Sequence, residues 1–359
     1  MIFDYSPISK LHAELLLSIF HMNTLTDVVN AESDAAWFSD VSPKMQDRPL
    51  TIVRRSSQVC RKWRGVILES SSLWGKVVDM SLLCGLARGH WLNEVIRRSG
   101  QQFLHVTTDN AGVSSRLPAL IVLLDDHWER IRSLNVTMVV GYSAGMLVRE
   151  EVSRILRRPT EVLQSFRVEI KIDGLQIANF LVDVPLFANS APCLTAFSSG
   201  HLFLGQHTPN SWLSQLQTLF LSSGLPTYTL QQILQALEGM PGLVTFTITG
   251  HSVHPVTSNA HKVVSLPNLK FLRILSGQIV TVTAILDNLV VPAGCTLVAI
   301  ATQGDQFDEE EELDPRAYQS FRHYSQNYFQ VYTSTSLALS ITPRTFRFSD
   351  TTPHPPRRS

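Results

Sequence analysis

The residues best placed to do chemistry are Gly141-Tyr142-Ser143-Ala144-Gly145, which match the G-x-S-x-G nucleophile elbow. In that arrangement a serine sits on a tight strand-to-helix turn, and a histidine oriented by a carboxylate takes its proton. The local setting fits, because a strand-like run from Leu134 to Val140 precedes the loop and a helix-like run from Met146 follows. An α/β-hydrolase then needs an acid and a histidine in that order, and Asp287 and His323 can be nominated. The upstream His-Gly-Gly-type oxyanion loop is absent, and glycines are ordinary residues in a strand-to-helix connection. His251, His254 and His261 lie in a Pro/Ser/Thr/Asn-rich stretch without cysteine or carboxylate neighbours, so surface histidines are expected and no metal site. No glycine-rich phosphate loop is present. Binding is expected, not catalysis, and no cofactor.

Composition supports that expectation. The 359 residues carry 30 Lys plus Arg against 30 Asp plus Glu, so no net field favours nucleic acid or an anionic membrane. A hydrophobic content of 44% fits a folded chain. Cys60, Cys84, Cys193 and Cys295 are widely spaced with no C-x-x-C pair, which reads as reduced thiols in a cytoplasmic or nuclear protein. The N-terminus lacks the features of a signal peptide, and no stretch has the roughly 18 apolar residues of a membrane span.

Two helical patterns near the start must position one another. Leu11, Leu15, Leu16, Ile19 and Phe20 form one wide apolar face. Val59, Trp63, Val66 and Ile67 recur at helical spacing beside Arg61, Lys62 and Arg64, and Leu73-Trp74 follows. So short a helix cannot bury Trp63 and Trp74 alone, and the Leu11–Met22 segment is the nearest apolar partner. The basic run is short and unextended, which suits solvent or an acidic protein partner better than nucleic acid. Residues 30–49 hold Ser, Asp and Pro with little periodicity and read as an inserted loop.

Leu11-His12-Ala13-Glu14-Leu15-Leu16…Ile19-Phe20, then Val59-Cys60-Arg61-Lys62-Trp63-Arg64, then Leu73-Trp74, resembles the F-box motif. His12 stands where that motif usually has proline, and the two halves are about twice as far apart as a minimal F-box needs. The resemblance implies docking on the adaptor subunit of a cullin-RING (SCF-type) ubiquitin ligase. The contact residues would be Leu11, Leu15, Leu16, Ile19, Phe20, Val59, Cys60, Trp63 and Trp74.

Downstream, an apolar-x-x-apolar-x-apolar pattern recurs at Ile131/Leu134/Val136, Leu163/Phe166/Val168, Leu216/Leu219/Leu221, Leu243/Phe246/Ile248 and Leu269/Leu272/Ile274. Partial copies stand at Leu194/Phe197, Leu297/Ile300 and Phe103/Val106. From Ile131 onward, successive copies start about 22 to 32 residues apart, around the leucine-rich-repeat period. Helical patterns lie between them, at Leu92/Val95/Ile96, Val148/Val152/Ile155/Leu156, Leu230/Ile233/Leu234/Leu237 and Val282/Ile285/Leu286/Leu289. The asparagine of ordinary leucine-rich repeats is missing. The segment order is similar to that of fungal, basidiomycete-type F-box-like proteins with degenerate repeats.

The expected fold is therefore a helical F-box-like module over 1–80, followed by an irregular leucine-rich-repeat-like α/β solenoid over 81–304. A capping segment over 305–345 would open near Asp314-Pro315, and a disordered tail would span 346–359. Strand residues between the apolar positions would face solvent on the concave side. Arg167, Phe220, Phe271 and Arg273 are the candidate target-binding residues there. The expected role is substrate receptor in ubiquitin-dependent degradation; the alternatives are the serine hydrolase and a repeat scaffold outside any ligase.

Overall fold

The computed structural model describes residues 10–24, 44–84, 90–108, 117–140, 145–172, 186–199, 211–222, 228–249, 253–254, 262–302, 315–329, 337–342 and 345–350. It is a mixed structure in which helices alternate with parallel strands. The chain divides into two compact units, 1–155 with 162–173 and 156–161 with 174–359. That division falls well after residue 80, so the helical head and the first strand–helix repeats share one unit.

The first unit opens with α1 (Ala13–Met22), α2 (Pro49–Ser56), α3 (Arg61–Glu69) and α4 (Ser71–Lys76). Then come β1 (Val78–Asp79), α5 (Met80–Leu83), α6 (His90–Ser99), β2 (Leu104–Thr107), α7 (Leu117–His127), β3 (Ile131–Val140), α8 (Gly145–Leu156) and β4 (Ser165–Ile172). Strands β1 to β4 pair in parallel in chain order. Val78, Leu104, Val106, Ile131, Leu134, Val136, Phe166 and Val168 are all buried. Each contributes roughly 1.5–3 kcal/mol of apolar burial relative to exposure. The alternate positions are polar: Asp79, His105, Thr107, Ser133, Asn135, Thr137, Arg167 and Glu169.

The sequence expectation is met at Ile131/Leu134/Val136 and corrected one repeat earlier. Leu104, not Phe103, pairs with Ile131 and enters the core, while Phe103 stays exposed under the Arg132 guanidinium at 5.3 Å. The α6 helix ends where Gly100 takes φ +53°, a conformation that favours glycine. At Gly75 the constraint is space, since a Cβ there would lie 2.4 Å from the Phe103 backbone oxygen. Gly75→Ala should cost upwards of about 2 kcal/mol in denaturant unfolding, because backbone must move to admit the methyl.

A helix unforeseen in the sequence reading is α2. It begins with Pro49 at its first position and buries Leu50 and Val53, so the expected 30–49 loop gives way to helix at its last residue. Residues 45–47 form a short 3₁₀ turn before it, and 30–43 lie outside the described residues.

The second unit holds β5 (Ala196–Ser199), β6 (Thr218–Leu221), α9 (Leu230–Glu238), β7 (Thr245–Thr249), β8 (Val264–Ser265), β9 (Phe271–Gln278), α10 (Ile279–Asp287), β10 (Leu289–Val290), β11 (Thr296–Thr302), α11 (Pro315–Phe329), β12 (Leu337–Thr342) and β13 (Thr345–Asp350). Strands β5, β6, β7, β9 and β11 are parallel neighbours, and β13 then β12 continue the sheet antiparallel. Leu194, Phe197, Leu219, Leu221, Phe246, Ile248, Leu272, Ile274 and Leu297 line the core.

Without an asparagine ladder, the strand entries are tied by backbone bonds. Gln217 N–H donates to Thr195 O, Val244 N–H to Gln217 O, Lys270 N–H to Val244 O and Thr296 N–H to Lys270 O, all at 2.8 Å. Helix α9 is closed by a capping box in which Thr229 Oγ1 accepts from Gln232 N–H and Gln232 Oε1 accepts from Thr229 N–H. Thr229→Ala should lower unfolding free energy by about 1 kcal/mol in a denaturant titration. Helix α11 starts at Pro315, as the Asp314-Pro315 signal implies. The expected tail from 346 differs, because Thr345–Asp350 is a strand paired on both sides, with β11 and β12. Its alternating Phe346 and Phe348 carry the strand signal that the neighbouring prolines obscured.

Candidate functional site

Helices α1 and α3 pack against each other, and together they make the candidate site. Residues one hundred degrees apart on a helix face different neighbours, and α1 uses this to separate two apolar stripes. Leu16 and Phe20 turn inward and are buried. Leu15, Ile19 and Met22 lie at i, i+4 and i+7 on the other stripe, with Leu15 53% and Met22 61% exposed. Trp63 of α3 is half-buried and meets the Phe20 ring edge-on, at 5.2 Å and 70°. Lys62 Nζ donates to Leu11 O at 2.7 Å, fastening α3 to the entry of α1.

The start of α3 extends the exposed apolar surface. Val59 is 62% exposed, and Cys60 caps the helix, its exposed Sγ accepting from Trp63 N–H at 3.5 Å. Arg61, Lys62 and Arg64 stand exposed on the same helix. Trp74 is 4% exposed instead, with Nε1 donating to Ile67 O at 2.9 Å and the Arg98 guanidinium 5.4 Å from its ring. So the nine residues expected to bind fall into three groups. Leu16, Phe20 and Trp74 hold the helices together, while Leu15, Val59 and Cys60 are open and Leu11, Ile19 and Trp63 straddle. Met22 belongs to the open group and was not anticipated, although it continues the Leu15/Ile19 spacing.

The expected target-binding positions are spread over both units. Arg167 on β4 is half-buried, level with Asn135 and Thr107 on the polar face of the first unit. In the second unit Phe220, Thr247 and Arg273 are register partners in one row, with Ser198 and Val298 at its ends. Phe220 is only 8% exposed and Arg273 only 5%, which corrects the expectation of an open face there. Parallel strands stand about 4.8 Å apart, so large side chains in one row shield one another. Phe271 is half-buried, and the Arg273 guanidinium lies 5.7 Å from its ring. Burial holds the Arg273 guanidinium below its ordinary pKa.

Of the hydrolase candidates, Gly141 to Ala144 lie outside the described residues, with β3 ending just before them and α8 starting at Gly145. Asp287 and His323 line one cleft of about 370 Å³ beside α10 and α11. They do not bond each other. Asp287 Oδ1 accepts from Ser320 Oγ, and His323 Nε2 faces Asn327 Nδ2 at 3.3 Å. His254 is exposed, and His251 and His261 lie outside the described residues. Among the described residues no group of three or more His, Cys, Asp or Glu could hold a metal, and no helix is long and apolar enough to cross a membrane.

Two histidines of the first unit sit in a basic neighbourhood. Burial, then Lys76 and then Arg132, push His105 down to about 4. Burial first and Lys76 second also lower His21, whose Nε2 lies 3.2 Å from Ser72 Oγ on α4. The unfolded chain therefore binds more protons than the folded one between about pH 4 and 6.5. Stability contributed by neutral His105 is full above about pH 6.5 and drains away as pH falls toward 4. His105→Gln should flatten that limb of a Tm-against-pH curve.

No family model, curated protein or solved structure matches the chain.

Proposed function

We propose that the chain is the substrate-recognition subunit of an SCF-type ubiquitin ligase. The F-box-like head docks on the ligase's adaptor subunit, and the strand–helix repeats, read as an irregular leucine-rich-repeat solenoid, present a target protein. One observation carries this reading: Leu15 and Met22 on α1 and Val59 at the entry of α3 are exposed apolar residues on two helices packed together through buried Phe20 and half-buried Trp63. A folded chain gains nothing by presenting such residues to water, and aliphatic and aromatic anchors of this kind dominate helix-in-groove binding. Exposed Arg61, Lys62 and Arg64 beside it favour an acidic partner surface. The protein would act in the cytoplasm or nucleus and perform no chemistry itself, holding the target near a ubiquitin thioester carried elsewhere in the complex. Size-exclusion chromatography of the full chain with purified adaptor tests the reading. Co-elution at one-to-one stoichiometry supports it, and separate elution at micromolar concentrations rejects it.

The strand–loop–helix setting of Ser143 keeps a serine hydrolase as the second reading. The engagement of Asp287 by Ser320, away from His323, speaks against that pair as its partners. A fluorophosphonate probe should leave Ser143 unlabelled; labelling that Ser143→Ala abolishes would favour the hydrolase.

A further inference from the structure

We infer that the polar face of the first unit's sheet carries a binding site for a phosphate monoester, centred on Lys76, His105, Arg132, Ser133 and Ser165. Strand register brings these residues together. His105 of β2 pairs with Ser133 of β3, and Ser133 pairs with Ser165 of β4, so the three stand in one row on one face. Strands about 4.8 Å apart make that row roughly 10 Å wide. A tetrahedral oxyanion over Ser133 is within reach of both ends.

Arg132 enters this row because the pairing shifts by one residue between Leu104 and His105. Its Nε donates to Gln164 Oε1 at 2.8 Å and its guanidinium lies over Phe103, and among the described residues no carboxylate pairs with it. Lys76, the last residue of α4, makes no ion pair among the described residues. The acid on the adjoining edge, Asp79, is already held by Arg48 at 3.2 Å and by the backbone N–H groups of Ser81 and Leu82. Among the described residues, two positive charges stand without a compensating carboxylate beside a histidine.

An independent observation points to a missing ligand. Ser165 is 8% exposed, and its Oγ is buried with no hydrogen-bond partner. Buried hydroxyls are nearly always satisfied, because leaving one unpaired forfeits its hydration with nothing in return. An acceptor oxygen at the row would take that proton and restore the balance.

The charge count selects the ligand class. Lys76 and Arg132 supply two positive charges, which match the −1.5 to −2 of a phosphate monoester near neutral pH. A carboxylate would neutralise one. Burial first, and then the same two cations, keep His105 neutral, so a bound dianion would offset the cations' share and favour a proton on the ring. Under the receptor reading, the monoester would be a phosphorylated side chain on the target; the site itself stands without that reading.

The test uses the full chain alone, with no adaptor present, so its outcome is separate from that of the docking experiment. Phenyl phosphate and a phosphoserine peptide are titrated while the His105 ring resonances are followed by NMR. Saturable shifts are expected, with the His105 titration moving to higher pH, and Lys76→Met or Arg132→Gln should each weaken binding about tenfold or more. Tighter binding of the peptide would identify a protein-borne ligand, and equal binding a small metabolite; both uphold the site. Unmoved His105 resonances at millimolar ligand, or binding indifferent to both substitutions, would overturn it.

Discussion

Under the proposed function, Leu15→Asp is expected to weaken capture of the ligase adaptor by about 100-fold or more, while leaving the protein nearly as stable as before. The two halves of this result have different causes. Leu15 is more than half exposed on α1 and contributes little to the core, so its replacement should change unfolding free energy by less than about 0.5 kcal/mol. In a complex the same position would be covered, and an aspartate there would be a buried charge without a partner. Stranding a charge in this way costs about 3–5 kcal/mol, ample for the expected loss. Binding by calorimetry and Tm by calorimetric scan, measured on one preparation, separate the effects. Unaltered binding would move the docking surface away from α1.

Trp74→Ala should behave in the opposite way, destabilising the first unit by about 3–5 kcal/mol. Trp74 is buried at the junction of the helical head with α6, where Arg98 lies over its ring. Its removal leaves a cavity and strips Ile67 O of the indole donor. Any loss of adaptor binding in this variant should track the folded fraction in urea. If Trp74→Ala stays fully folded but fails to bind, Trp74 touches the adaptor directly and the division between inner and outer residues is misplaced.

That division marks the limit of what the sequence reveals. Helix spacing places Leu15 and Leu16 equally on a wide apolar face, and only the position of α3 decides which of the two turns inward. The repeat pattern was legible because parallel strands covered by helices need buried residues at regular spacing, and Leu134, Phe166, Leu219, Phe246 and Leu272 are all buried. At Phe103 and Leu104 two adjacent apolar residues leave the register ambiguous by one, and the pairing with Ile131 selects Leu104. Phe220 and Arg273 look like solvent-facing anchors when each strand is read alone. Their burial comes from lateral neighbours in the sheet, which no single strand discloses. The cluster of Lys76, His105 and Arg132 likewise draws on three segments far apart in the chain, and no local motif announces it.

Hydrogen–deuterium exchange of the full chain with and without purified adaptor tests the docking of α1 and α3 most directly. The expected footprint is slowed exchange over residues 13–22 and 59–69, lost on Leu15→Asp. An adaptor that binds while leaving those amides unprotected, or that does not bind at all, would contradict the account.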